Sequence, residues 1–194
     1  MRNIIESKNL ILDDGIDVHQ EDEISWQLQN KIHFMLNTVY EGISKSFIAK
    51  TYADIRPQQR VLWIQNGAVV GHIAITHDKI KIADQFYEVA CLGLLASLAS
   101  TGAYQMLATS LNYLKTETNF KFAVGKTNNE RYINYVLVKF NVAIFDGLIL
   151  GKTKSSKETD KILLFKLSID DTEFNKIVEL AKKTKKLSVE FEPF

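Results

Sequence analysis

The dipeptide Asn66-Gly67 constrains the fold of this chain more than any other local feature. It separates two apolar runs, residues 61–65 and 68–75. A type I′ turn needs positive φ at both central residues, and Asn-Gly supplies that at the least steric cost. The spacing therefore predicts an antiparallel hairpin. A further alternating segment, Lys79-Ile80-Lys81-Ile82, turns at Ala83-Asp84-Gln85 into residues 86–94. That last run is apolar enough for a central strand. The expectation is three antiparallel strands followed by a central one.

The period then changes. Ala103, Leu107, Leu111 and Leu114 recur at helical spacing after the small-residue loop Ala99-Ser100-Thr101-Gly102, which predicts a helix. Residues 120–124 read as a strand, and Asn128-Asn129 as the cap of a short helix carrying Ile133, Val136 and Leu137. Residues 142–150 and 162–167 read as strands, joined by the apolar-free linker 151–159. Ahead of the hairpin, Ile24, Leu28, Ile32, Met35, Leu36 and Val39 mark one face of an amphipathic helix. Residues 1–22 form an irregular or strand-like extension, with Asp13-Asp14-Gly15 as a turn signal. A last helix starts near Asp171 with Phe174, Ile177, Val178 and Leu180, and its terminal lysines read as a solvated end. This order describes one α/β domain over residues 1–194, a mixed and mostly antiparallel sheet with one βαβ crossover through the 103–115 helix. A ligand is expected where the central strand ends and that helix begins, because free N–H groups at a helix N-terminus attract phosphate.

Composition narrows the partners. Twenty-four basic and 23 acidic residues leave a net charge of +1, which removes the electrostatic argument for nucleic acid or an anionic membrane. No apolar run is long enough to span a bilayer, and the N-terminus lacks the apolar stretch of a signal peptide. Cys91 is the lone cysteine, so neither an internal disulfide nor a cysteine metal cage can form. His19, His33 and His77 show no metal-ligand spacing. A cytoplasmic protein without a metal is the expectation.

From about Ile24 to Ser168 the chain resembles the nodulation protein A family and, more distantly, the aminoglycoside 2′-N-acetyltransferases, both of the GNAT superfamily of N-acyltransferases. Arg56-Pro57 and Arg60 resemble an Arg-Pro-x-x-Arg stretch; His72-Ile73-Ala74-Ile75-Thr76 resembles His-Met-Gly-Leu-Leu. Val89-Ala90-Cys91-Leu92-Gly93-Leu94 resembles Val-Ala-Glu-Leu-Gly-Leu, and Phe122-Ala123-Val124-Gly125 resembles Phe-Ala-Phe-Gly. Asp160-Lys161-Ile162-Leu163-Leu164 resembles the last strand of the family. Residues 171–194 lie outside the resemblance.

The resemblance implies a GNAT fold and transfer of an acyl group, acetyl or longer, from acetyl-CoA or another acyl-CoA (or an acyl-carrier-protein thioester) to a primary amine of a small molecule or sugar. It implies that Leu94, Leu95 and Ala96 pair with the pantetheine arm, and that the amides of Thr101, Gly102, Ala103 and Tyr104 meet phosphate. It implies that Tyr135, five residues before Phe140, protonates the departing thiolate. His72 is a candidate proton relay, since imidazole titrates near neutrality. Each has a plainer alternative: an ordinary strand-to-helix turn, a tyrosine packed on the sheet, a buried structural histidine. The Arg/Gln-x-x-Gly-x-Gly/Ala donor loop is degenerate here, with one glycine left and Tyr104 at a position that favours a small residue. Cys91 replaces a glutamate, and Glu88 would substitute for it only across a bulge, because odd spacing places the two on opposite faces. These departures support a second reading, a GNAT-fold protein that binds a ligand or partner without catalysis. A third is a homodimer built on the C-terminal helix or last strand.

Overall fold

A computed structural model describes residues 13–40, 57–99, 102–150 and 160–189. The linker 151–159, Arg56 and Thr101 lie outside the described residues. Residues Gly15–Gln20 form strand β1, which pairs antiparallel with β2 (Gln59–Gln65). A 3-10 turn, Glu21–Glu23, leads to helix α1 (Trp26–Val39), where the Ser25 hydroxyl accepts from the Leu28 N–H at 3.2 Å. The hairpin is as expected: Asn66 has φ 50° and Gly67 φ 69°, and the turn joins β2 to β3 (Ala68–Ile82).

One expectation is corrected here. The segment 79–82 is not a separate strand but the continuation of a 15-residue β3. The polar Thr76-His77-Asp78 stays in the ladder opposite Cys91, Ala90 and Val89. Side chains stabilise it there: Thr76 Oγ1 donates to the Cys91 carbonyl at 3.5 Å, and His77 Nε2 lies 2.9 Å from Gln59 Oε1. The turn at Ala83 (φ 54°) then opens β4 (Gln85–Ser97).

Helix α2 (Gly102–Glu117) crosses over to β5 (Phe122–Thr127), which runs parallel to β4. This strand begins two residues later than Phe120, whose ring instead meets that of His77 at 4.8 Å. Asn129 caps α3 (Glu130–Lys139), its side chain accepting from the Tyr132 N–H at 3.1 Å. Ile133 and Val136 are buried, but Leu137 is half-exposed, contrary to its expected place on the apolar face. Strands β6 (Val142–Leu150) and β7 (Asp160–Lys166) follow, then α4 (Asp171–Thr184) and β8 (Lys186–Val189).

The sheet has eight strands in the order β1-β2-β3-β4-β5-β7-β6-β8, and β8 also bonds β3 at Ile80 and Lys81. β2 therefore takes the first half of one edge of β3, and β8 the second half. The run β3-β4-β5-β7-β6-β8 closes on itself through the β3–β8 pairing. The single crossover is also corrected: β6 and β8 form a second parallel pair, connected through β7 and α4.

Helices α1 and α4 cover one face, α2 and α3 the other. Leu28, Ile32, Met35 and Leu36 of α1 pack on Leu62, Ile64 and Ala96. Phe174, Ile177, Val178 and Ala181 of α4 pack on Ile80, Val89, Phe122 and Leu187. Burying each of those larger side chains is worth about 1.5–3 kcal/mol, so the C-terminal segment is part of the main core. Its apolar face is covered by the chain itself. Lys182, Lys183 and Lys185 are exposed, while Lys186 opens β8.

Candidate functional site

The central feature is an unpaired strand edge. β4 bonds β5 only through Ala90↔Ala123, Cys91↔Val124 and Leu92↔Gly125. Beyond Leu92, β4 continues to Ser97, while Lys126 and Thr127 of β5 pair with β7. The physical cause is a bulge. His72 pairs with Ala96 and Ala74 with Gly93, so Leu94 and Leu95 together oppose the single residue Ile73. A bulge bends its strand and raises the local twist, which carries β4 away from β5.

Leu94 sits at φ 48°, a left-handed conformation that costs a leucine about 1–2 kcal/mol. Hydrogen bonds offset that cost. His72 Nδ1 lies 3.0 Å from the Leu94 carbonyl oxygen, and the Tyr40 hydroxyl donates to the Leu95 carbonyl at 2.9 Å. His72 Nε2 lies 3.1 Å from Arg60 Nη1. Arg60 Nε and Nη2 in turn donate to the two Glu21 carboxylate oxygens at 2.5 and 2.8 Å. Arg60 and His72 are fully buried. A guanidinium offers only donors, so Nε2 of His72 accepts and its proton resides on Nδ1, donated to Leu94.

The proton-relay expectation for His72 is corrected accordingly. Burial, then the charge of Arg60, pushes its pKa down to about 3. Both ring nitrogens are engaged, so near neutrality this imidazole neither takes up nor passes on a proton. Cys91 is equally inert, its thiol pushed up to about 12 by burial and by Asp78. Glu88 does not substitute for the missing glutamate. No register shift separates 88 from 91, and Glu88 faces Lys79 at 3.7 Å.

Among the expected donor-binding residues, Leu94 and Leu95 lie at the bulge, with Ala96 buried against α1. Gly102 has a packing reason to be glycine. A Cβ there would lie 1.9 Å from Trp63 Cζ3 and 2.6 Å from Ser97 Oγ. The Gly102 N–H already donates to the Ala99 carbonyl at 3.1 Å. It is therefore not an open floor for a ligand, and its amide is engaged. Gly102→Ala should gain up to about 1 kcal/mol of helix propensity but lose about 1–3 kcal/mol to overpacking. A net loss in urea unfolding, partly restored by Trp63→Phe, is expected; unchanged stability would refute the packing role.

Ala103 and Tyr104 occupy the first turn of α2, where N–H groups have no intrahelical acceptor. The Tyr104 ring meets Tyr135 edge-to-face at 5.2 Å and Phe140 at 5.5 Å. The structure thus brings together two of the sequence-predicted residues, with Tyr135 41% exposed. Partial desolvation, then the neighbouring Tyr104, raises the Tyr135 pKa above its ordinary value. Arg60 and Glu21 escaped sequence reasoning as site residues. The available signal was Arg60 itself, a charge on the same alternating face as Leu62 and the buried Ile64.

A separate groove of about 590 Å³ lies at the other end of β4, between Phe86, Tyr87 and the α4 residues Lys176, Ile177 and Leu180. Among the described residues no cluster of His, Cys, Asp or Glu is arranged to hold a metal ion, and no helix is long and apolar enough to cross a membrane.

No protein-family model and no curated protein matches the chain. Solved structures do. ElaA of Escherichia coli superposes with a TM-score of 0.56 at 11% identity, covering 77% of this chain and 97% of its own. An acyl-CoA N-acyltransferase from Pseudomonas aeruginosa gives 0.55 at 7% identity, covering 78% and 98%. FeeM, an N-acyl amino acid synthase from uncultured soil microbes, gives 0.54 at 13%, covering 80% and 92%. At these identities the likeness is one of fold, and the fold is that of the acyl-CoA N-acyltransferases.

Proposed function

We propose that this chain is an N-acyltransferase that moves an acyl group from an acyl-CoA thioester to a primary amine of a small molecule or sugar. The observation that carries the reading is the edge of β4 beyond Leu92, opened by the Leu94 bulge on the strand that leads into α2. An extended pantetheine arm, with its amide groups, completes such an edge as an added strand would. Leu94 to Ala96 supply the edge, and the first-turn amides of Ala103 and Tyr104 supply an anion site for the pyrophosphate.

The bulge also orients a donor. Across a planar trans peptide the C=O and N–H point in opposite directions. With the Leu94 carbonyl held by His72, the Leu95 N–H is turned away from it. That amide is the group proposed to polarise the thioester carbonyl as negative charge develops on its oxygen. The amine nitrogen then attacks the carbonyl carbon and the C–S bond breaks. The thiolate takes the Tyr135 proton, the nitrogen that attacked loses its proton to solvent, and solvent returns a proton to the Tyr135 phenolate. Holding both substrates on one edge supplies much of the acceleration.

A second reading has its own support. The neutral Cys91 thiol and the occupied nitrogens of His72 leave no base near the bulge among these candidates. A GNAT-fold protein that binds an acyl-CoA without turning it over would show those features.

Calorimetric titration with acetyl-CoA, followed by a screen of amine acceptors, tests the assignment. Binding in the micromolar range, about −8 kcal/mol, with acylation of an amine is the expected result. Binding without turnover selects the second reading. No heat at millimolar acetyl-CoA or a long-chain acyl-CoA overturns the CoA donor.

A further inference from the structure

We propose that Glu21 and Arg60 are positioning residues for the donor strand, acting through His72 to hold the Leu94 carbonyl in the bulge. This rests on the acyl-transfer reading for its functional consequence, but the geometry is the chain's own. The four groups form one continuous line from carboxylate to guanidinium to imidazole to backbone carbonyl. They come from four separate elements: the turn after β1, then β2, β3 and β4.

Each link has one polarity. The Glu21 carboxylate only accepts and the Arg60 guanidinium only donates. Arg60 therefore fixes the His72 tautomer, and the tautomer decides whether Leu94 finds a donor or a lone pair. With the proton on Nε2 instead, Nδ1 and the Leu94 oxygen would present lone pairs to each other at 3.0 Å. The left-handed Leu94 would then lose its partner and drift toward ordinary strand geometry. The Leu95 N–H, on the same peptide plane, would turn with it. Glu21 is nearer solvent than Arg60, 18% exposed against 1%. A bidentate carboxylate also prevents the guanidinium from rotating away from His72.

The test follows His72 by long-range proton–nitrogen NMR between about pH 5 and 9, alongside acetyl-CoA titration. Wild type is expected to hold a single neutral Nδ1–H tautomer across that range. Glu21→Gln is expected to introduce the Nε2–H tautomer, shift the Leu95 amide resonance and speed its hydrogen exchange. It should raise the acetyl-CoA Kd about tenfold, the equivalent of one buried hydrogen bond left unmade. His72→Leu should do the same or worse. His72→Gln, whose amide can accept from Arg60 and donate to Leu94, should restore affinity to within about threefold.

A purely structural role lowers the melting temperature of Glu21→Gln but leaves its tautomer, Leu95 amide and Kd at wild-type values, and that result overturns the proposal. If His72→Leu fails to fold, Glu21→Gln decides alone. If wild type binds no acetyl-CoA, the acyl-transfer reading falls separately; the tautomer and Leu95 exchange still decide whether the chain of residues sets the bulge.

Discussion

Replacing Tyr135 by phenylalanine is expected to lower kcat about a hundredfold, the low end of what a positioned general acid contributes. Donor affinity should stay within about twofold, because the lost hydroxyl acts only as the C–S bond breaks. The ring is retained, so its edge-to-face contact with Tyr104 at 5.2 Å survives and the fold is not the variable. A free thiolate leaves unaided more readily than an amine does, so the reaction should slow rather than stop. A phenol carries its proton through neutral pH, so the group is in its donating form when the thiolate departs. Steady-state rates with saturating donor, set beside calorimetric Kd values, separate the two effects. Equal turnover in the variant would remove Tyr135 from the chemistry and leave it as a packing residue of α3.

The parts of this fold that were legible in the sequence are the locally determined ones. Asn66-Gly67 dictates its own backbone, and Asn129 caps the helix that it precedes. Leu28, Ile32, Met35 and Leu36 declare one helical face. The misread parts depend on distant partners. Thr76-His77-Asp78 looks like a break because its residues are polar, yet Gln59, 18 residues before His77, completes its bonding. The strand β8 was not anticipated. Leu187 is buried, but the residues on either side of it are not, and the strands that accept it, β3 and β6, lie far back in the sequence.

The site divides in the same way. The approach of Tyr104 to Tyr135 follows from which helices flank the β4–β5 opening, so the two residues could be named from pattern and resemblance. The bulge could not. Nothing about a leucine announces a positive φ, and the neighbouring Gly93 would have been the more natural residue to adopt it. Nor does strand alternation tell a buried His72 with two satisfied nitrogens from one that faces substrate. That distinction rests on Arg60 and Glu21, from elements whose mutual packing only the folded sheet defines. Gly102 illustrates the converse. A glycine before a helix invites a ligand-binding explanation, but Trp63, across the hairpin, is what forbids a side chain there.

Acid is expected to destabilise the protein through His72, beginning at a pH where most proteins are indifferent. Folding lowers this pKa from 6.5 to about 3. Below about pH 6.5 the unfolded chain therefore binds a proton that the native state refuses. Unfolding free energy falls as pH falls, because the slope has the sign of protons bound unfolded minus protons bound native. His72 stabilises fully above about pH 6.5, and that contribution is lost progressively down to about pH 3. The slope approaches about 1.4 kcal/mol per pH unit and integrates to at most about 5 kcal/mol. The groups that face His72 all bear on it: Arg60 from β2 and His33 from α1 oppose its protonation, and the Leu94 carbonyl of β4 favours it. Glu21 from the turn after β1 holds Arg60 in place. His72→Gln keeps both hydrogen bonds but cannot titrate. Urea unfolding at a series of pH values should show the variant losing about one proton's worth of slope between pH 6 and 4. A weaker slope of the same sign should persist from His33 and His77, both held below their ordinary value by burial. Parallel curves for the two proteins would mean that His72 is protonated in the native state, and that Arg60 does not face its lone pair.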